Sequence, residues 1–296
     1  MKVLVTGGAG FIGAAVVKLL SKSCDVVVLD DLSASDGSRL DGVPHKFVHG
    51  SILDENMLSK AMSGCFAVVH MAALISVEES FEQPDMYSLV NETGFAKVLR
   101  MAADMKCGRV VYASSAAVYG DSWSAPSSEI DRCSPTNPYG SNKRSNEVLA
   151  GVMSRRVSSI GLRIHNVYGP GQNTSGYAAV VPKFISLAMA GEPLTIHGSG
   201  NQIRDFVHVD DVAEAFAVNV RSEWQGVVNV GTGIGVSVND LAVMVSMHSG
   251  VRTVSVPAVD GDVMASVADV SSIARLTGWR ASKSLSNYIK AAMEAS

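Results

Sequence analysis

Val3-Leu4-Val5-Thr6-Gly7-Gly8-Ala9-Gly10-Phe11-Ile12-Gly13 is the stretch that decides the fold. The apolar run 3–5 reads as a buried strand. Gly7, Gly10 and Gly13 follow it at intervals of three. Beyond them Ile12, Ala15, Val16, Leu19 and Leu20 recur with a helical period over 11–21. Strand, glycine turn and helix in this order form the opening of a dinucleotide-binding unit. The glycines let the chain turn tightly, approach a pyrophosphate and pack the helix on the sheet. The helix N-terminus offers free N–H groups and positive dipole to the phosphates. A second apolar run, 26–29, ends on Asp30, which lies 20 residues after Gly10. A carboxylate there accepts hydrogen bonds from both adenosine ribose hydroxyls and repels a 2′-phosphate. These residues predict NAD, rather than NADP, as the cofactor.

The alternation continues outward. Strand-like runs fall at 67–69, 110–112, 161–164 and 227–230, with helical segments at 85–106, 138–154 and 209–220. Such alternation implies parallel strands joined by right-handed crossovers, an α/β doubly wound, Rossmann-like sheet. From residue 231 on, short helical segments at 239–248, 271–276 and 286–295 are joined by polar loops. That change of character predicts a smaller C-terminal lobe.

Composition narrows the function classes. The 296 residues are 47% hydrophobic and 18% charged, so a large core is available and disorder is not expected. Lys plus Arg is 24 against 28 Asp plus Glu, and no polybasic run occurs. Nucleic acid and anionic membrane are therefore not expected partners. Cys24, Cys65, Cys107 and Cys133 lie far apart with no C-x-x-C pair. That pattern argues against a disulfide scaffold or a metal site and suits the reducing cytoplasm. The N-terminus does not read as a signal peptide, and the longest apolar stretch, 66–77, is too short to span a bilayer.

The G-x-x-G-x-x-G spacing resembles the extended branch of the short-chain dehydrogenase/reductase superfamily, whose members mostly act on nucleotide sugars. His70-Met71-Ala72-Ala73 resembles the family's cofactor-flanking loop, and Asn91 its structural asparagine. Arg163-Ile164-His165-Asn166-Val167-Tyr168-Gly169-Pro170 and the run from Arg204 to Val212 are also similar to family patterns. The resemblance covers about residues 1–280. It implies cofactor contacts from Gly7, Gly10, Phe11, Ile12, Gly13, Asp30, Ser51, Ile52, Met71, Ala72, Ala73 and Asn91, with Tyr139 and Lys143. Ser51 stands where the family usually has an aspartate near the adenine, and a serine still hydrogen-bonds there. The implied organisation is an NAD-binding part, 1–170 plus about 203–230, and a nucleotide-sugar lobe, about 171–202 and 231–296.

Chemistry concentrates in Pro138-Tyr139-Gly140-Ser141-Asn142-Lys143. Pro138 suits a first helical turn, and an i, i+4 pair shares one helix face. A phenol, with a pKa of about 10, is a weak base at neutral pH. A nearby ammonium, with the positive nicotinamide ring, would lower that value and make Tyr139 a general base. Ser114 and Ser115 end a strand, where ligand crevices open. By resemblance Ser115 is the catalytic hydroxyl, bridging substrate and Tyr139, while Ser114 reads as structural. Nucleotide-sugar 4,6-dehydratases of similar sequence carry Asp-Glu after that residue. Here Ala116 and Ala117 cannot transfer protons. What remains is reversible oxidation at C4, a 4-epimerisation. Another nucleotide-sugar epimerase or oxidoreductase of the family, or a non-catalytic NAD-binding protein, stay open as alternatives.

For the substrate, the resemblance implies a UDP-hexose: UDP-glucose and UDP-galactose, with the N-acetyl forms. Arg204 would grip the diphosphate, Asn166 the sugar or diphosphate, and Thr195 and His197 would border the uracil. His208 reads as structural. A second phosphate arginine, which the family carries before a Gly-Asp, is missing from Pro257-Ala258-Val259-Asp260-Gly261-Asp262. Arg252 and Lys183 are alternative cations. Counting five from Gly261 gives Ser266, where a small residue would admit an N-acetyl group at C2. The helices 85–106 and 138–154 are where the family forms its homodimer.

Overall fold

The computed structural model describes residues 1–121, 125–174, 179–258 and 263–294. Seven parallel strands form the central sheet. Their spatial order is Gly226–Val230, Ser159–Ile164, Arg109–Ser115, Ala67–His70, Lys2–Thr6, Asp25–Asp30 and Lys46–His49. The chain starts at Lys2–Thr6, winds outward to Lys46–His49, then returns and winds the other way from Ala67–His70. The crevice between Lys2–Thr6 and Ala67–His70 is thus the switch point at which such sheets bind ligands.

The central strands are apolar without alternation because both faces are covered. Val3, Leu4 and Val5 are all fully buried. Val3 and Val5 face the helices Phe11–Leu20 and Val209–Val220, packing with Val16, Val17, Val212 and Phe216. Leu4 faces the helices Glu55–Met62 and Gly94–Asp104, packing with Leu58, Met62, Phe95 and Leu99.

The predicted helix over 85–106 is present but not uniform. Within those bounds it runs as helix Pro84–Tyr87, a π-helical segment Ser88–Thr93 and helix Gly94–Asp104, and a separate helix, Val77–Glu82, precedes it. Pro84 lacks an N–H and starts a new helix at its first position, after Gln83 leaves helical geometry.

The second part is a set of short strands. Ile203–His208 pairs antiparallel with Gly235–Ser237 and parallel with both Ala265–Ser266 and Asn166–Tyr168. Thr253–Val256 lies parallel to Leu194–His197. A separate core of Phe184, Leu194, Ile196, Leu241, Val245 and Ile289 supports them. The stretch Ile203–His208, grouped by sequence with the nucleotide part, is therefore a strand of this smaller sheet. The helix Val209–Val220 and the strand Gly226–Val230 after it belong with the large one. Helices Val238–Ser249, Ser271–Thr277 and Leu285–Glu294 match the expected segments, and Ala295 lies outside the described residues. Among the described residues no helix is long and apolar enough to cross a membrane.

Candidate active site

At the switch point the glycine turn is shaped by close approach. Gly7 adopts φ +68°, and a Cβ there would lie 2.5 Å from Ala72 N. A Cβ on Gly13 would collide with the carbonyl oxygen of Gly7. Gly10 differs: only Gly7 O, at 3.3 Å, lies within 4 Å of a Cβ placed there. That open side faces a helix start with no side-chain cap and no acid in its first turn. Asp54, Ser76, Asn137 and Ser237 cap the starts of other helices with their side chains. The N–H groups of Phe11, Ile12 and Gly13 are thus left for an anion. Asp30 is fixed at its strand end: Oδ2 accepts from Ala9 N and Oδ1 from Leu32 N, both at 2.9 Å. An uncapped helix start, a glycine cradle and an oriented carboxylate are a donor and acceptor set that fits NAD.

The flanking segments are held by side chains beneath them. Met71 N donates to Thr6 O at 3.0 Å, and Ala72 N to Thr6 Oγ1 at 3.5 Å. Asn91, inside the π-helical segment, accepts from Leu74 N (2.8 Å) and donates to Leu74 O (2.9 Å). Both ends of its amide are used on Leu74, so it fixes the end of the 71–74 segment. Ser51 Oγ accepts from Leu53 N at 3.2 Å. Ile52 is buried, and its Cδ1 would be 2.5 Å from a Cβ on Gly94. Its side chain belongs to the core, which leaves only its main chain for a cofactor. Burial, then the Lys143 charge, push His70 down to about 3, so the ring is neutral against Thr6 Oγ1 at 2.8 Å.

The helix Pro138–Met153 carries Tyr139 and Lys143. Asn137 caps it, accepting from Gly140 N at 2.8 Å. A Cβ on Gly140 would lie 2.6 Å from Ala117 O, so this glycine lets the helix start press against the turn after Ser115. Lys143 is buried, donates to Ala113 O at 3.0 Å, and holds Nζ 5.6 Å from the centre of the Tyr139 ring. Burial lowers it to about 8. Tyr139 hydrogen-bonds Ser115, whose Oγ also accepts from Ala117 N at 3.1 Å. The expected fall in the phenol pKa is not produced by the chain itself. Burial raises Tyr139, and the Ser115 hydrogen bond opposes this only in part. The reason is geometric: the ammonium sits over the ring, and burial penalises a phenolate. Within this set of groups, the positive charge of bound NAD is what remains to lower it.

Ser114 is buried and donates to Glu147 Oε1 at 2.6 Å, a structural use as expected. Glu147 also takes Arg163 in a two-pronged pair, Nε to Oε1 and Nη2 to Oε2, both 2.8 Å. This pair was missed from sequence. Its signals were present: an acid four residues after Lys143, and an arginine inside the apolar run 161–164.

Of the substrate-side residues, Ser115, Asn166, Arg204 and Ser266 are linked by strand register, whereas Thr195 and His197 lie on a separate two-stranded sheet. Ser115 pairs in register with Ile164, and Asn166 lies two residues beyond it. Asn166 pairs with Phe206, two residues after Arg204. Arg204 and Ser266 are partners in register, so residues distant in sequence become neighbours. Arg204 Nη1 donates to Ile203 O at 2.8 Å. Leu194 and Ile196 enter the core, so Thr195 and His197 share the opposite face of their strand. Lys183 and Arg252 are both exposed. Gly261 and Asp262, from which Ser266 was counted, lie outside the described residues, as do Val259 and Asp260. His208 caps a helix, its Nδ1 accepting from Asp210 N at 3.1 Å, a structural role as read. Asp205 was not singled out. It accepts from Thr232 N (2.8 Å), Gly233 N (2.9 Å) and Ala268 N (3.2 Å), tying two turns to the smaller sheet. Among the described residues no cluster of His, Cys, Asp or Glu could hold a metal ion.

The chain is similar over nearly its whole length to known proteins. The UDP-glucose 4-epimerase of Mycolicibacterium smegmatis is 33% identical over 307 residues, 99% of this chain and 98% of that protein. A UDP-glucose 4-epimerase from Thermotoga maritima, solved with UDP-glucose, superposes with a TM-score of 0.94 at 33% identity, covering 99% of this chain and 98% of that one. A UDP-N-acetylglucosamine 4-epimerase from Methanobrevibacter ruminantium, solved with UDP-N-acetylmuramic acid, gives a TM-score of 0.94 at 30% identity, covering 99% and 97%. The pattern of the NAD dependent epimerase/dehydratase family matches residues 3–231. The chain belongs to that family.

Proposed function

We propose that this protein is a UDP-hexose 4-epimerase that interconverts UDP-glucose and UDP-galactose and accepts their N-acetyl forms. The observation that carries the reading is the hydrogen-bonded Ser115–Tyr139 pair beside buried Lys143, followed by Ala116 and Ala117. The set supplies one proton acceptor and no second acid or base for a dehydration.

In this mechanism the glycine turn, the first turn of Phe11–Leu20 and Asp30 hold NAD. Bound there, NAD supplies the hydride acceptor, and later the hydride donor, for the sugar. Tyr139 Oη takes the proton of the 4-hydroxyl as C4 loses hydride, leaving a 4-keto sugar. Ser115 Oγ donates a hydrogen bond to that oxygen. Lys143, anchored on Ala113 O, holds positive charge beside the phenolate. Arg204 and Asn166 keep the diphosphate while the keto sugar turns over. Tyr139 then gives the proton back to the C4 oxygen as C4 is restored from its other face. No net oxidant is consumed.

Ser266 beside Arg204 supports room for an acetamido group, since serine lacks a ring to fill the space. The reading also takes the protein as a cytoplasmic homodimer. Val148 and Val152, one turn apart on Pro138–Met153, are exposed at 53% and 75%, an apolar face that suits a second copy. The test of function is a panel of UDP-, GDP- and dTDP-hexoses incubated without added reductant and followed by NMR. Inversion at C4 of the UDP sugars, with no NADH accumulating, supports the proposal. Net oxidation, or loss of water from the sugar, contradicts it.

A further inference from the structure

We propose that Glu147 is a positioning residue for the reaction, setting the register of the catalytic helix on the catalytic strand. The proposal rests on the assignment of Ser115, Tyr139 and Lys143 given above. Tyr139, Lys143 and Glu147 lie four residues apart, on one face of Pro138–Met153. They engage three successive residues of Arg109–Ser115. Glu147 accepts from Ser114 Oγ at 2.6 Å, Lys143 donates to Ala113 O at 3.0 Å, and Tyr139 bonds Ser115. Two of these contacts involve reacting groups. The third belongs to a buried carboxylate outside the chemistry.

That carboxylate is over-determined. Oε1 takes Ser114 Oγ and Arg163 Nε; Oε2 takes Arg163 Nη2 at 2.8 Å and Arg144 Nη1 at 2.9 Å. Arg163 is itself only 1% exposed. Burial works against the ionised acid, but these four donors outweigh it and hold Glu147 below the usual carboxylate range. A buried ion pair of this kind is weak evidence for stability, because its desolvation cost is large. Its geometric effect is definite.

The same network reaches the substrate side. Arg163 Nη1 donates to Tyr119 Oη at 3.0 Å, and Tyr119 Oη to Asn229 Oδ1 at 2.6 Å. Asn229 Nδ2 then donates to Ser127 O at 2.8 Å and to Asp269 O at 3.2 Å. Asp269 follows Ser266 by three residues. One buried chain of hydrogen bonds therefore runs from the strand of Ser115 to the segment that carries Ser266.

Glu147→Gln keeps the shape but replaces an acceptor by an amide N–H₂. That group then faces the donors Arg163 and Arg144, so the helix must shift against the strand. Misplacement of reacting groups by about 1 Å costs about 10²-fold in rate. The test uses NAD-loaded wild type, Glu147→Gln, Ser114→Ala and the double variant. It measures kcat per NAD-loaded site and KM for UDP-glucose, with NAD affinity by titration. Expected are a kcat lower by about 10–100-fold for Glu147→Gln and about 3–10-fold for Ser114→Ala, with KM and NAD affinity within about threefold. The double variant should lose less than the product of the two, because they act through one contact. Unchanged kcat per loaded site in both single variants, or losses that simply multiply, overturns the proposal. If Glu147→Gln does not fold, Ser114→Ala decides alone: unchanged kcat overturns it. Tyr139→Phe measured alongside separates the claims. Activity retained there refutes the catalytic assignment. Activity lost there, with both other variants unaffected, refutes the positioning role only.

Discussion

At the proposed cofactor end the groups assigned to the ligand are mostly main chain: the N–H groups of one turn and the backbone of 71–73, with Asp30 as the chief side chain. At the proposed substrate end they are side chains, Asn166, Thr195, His197, Arg204 and Ser266, carried by four short strands. The first end is set by where the backbone can go, so its glycines are intolerant of added atoms. The second is set by which side chain occupies a strand position, so substitution there retunes the pocket without dismantling it. Binding of a common cofactor is thereby separated from choice of sugar.

The boundary between the ends is Tyr139, and the largest effect is expected there. Tyr139→Phe removes the proton acceptor and keeps the ring. Turnover should fall by about 10²–10⁴-fold with NAD binding retained. Loss of NAD together with activity would place Tyr139 on the cofactor side instead.

Gly13→Ala is next. Its Cβ meets the Gly7 carbonyl oxygen, which has no flexible side chain to yield. Overpacking of about 1–3 kcal/mol should weaken NAD binding by about 5–150-fold. Binding of UDP alone, by calorimetry, should change little. Equal loss of both ligands would break the comparison.

Ser266→Tyr probes the other end. It should lower kcat/KM for UDP-GlcNAc by about tenfold or more and leave UDP-glucose within about threefold, since a buried overlap costs a few kcal/mol. Equal losses, or a wild type that rejects UDP-GlcNAc, would remove Ser266 from the sugar pocket.

An effect of another kind is expected on stability against pH. His70 titrates at about 3 when folded against an ordinary 6.5, so between these values only the unfolded chain binds its proton. Stability should therefore fall as pH drops below 6.5, by up to about 1.4 kcal/mol per pH unit from this residue. Denaturant titrations from pH 7 to 4 should show a shallower dependence in His70→Asn. An identical slope would mean that His70 is protonated in the folded protein.

The same contrast explains what could be read from the chain. Buried parallel strands such as Ala67–His70 are unbroken apolar runs, and Gly7, Gly10, Gly13 and Asp30 lie within one unit of local structure. Lys46–His49 escaped notice because it is an edge strand whose only buried residue is Val48. The π-helical stretch Ser88–Thr93 was not legible, because it interrupts 85–106 without changing its apolar pattern. The small sheet was not legible either, since Ala265–Ser266 is two residues long and meets Arg204 only through folding. Thr195 and His197 were named by resemblance, but that they share a face follows only from the packing of Leu194 and Ile196. Glu147 and Arg163 were visible as charged residues in apolar contexts, yet their pairing is a long-range fact.

The most direct test of hydride removal and return at one carbon uses UDP-glucose carrying deuterium at C4. Incubated with the protein in ordinary water and analysed by NMR and mass spectrometry, the UDP-galactose formed should keep the deuterium, at C4, with none lost to solvent. Washout of the label, its appearance at another carbon, or a product that has lost water would contradict 4-epimerisation by this site.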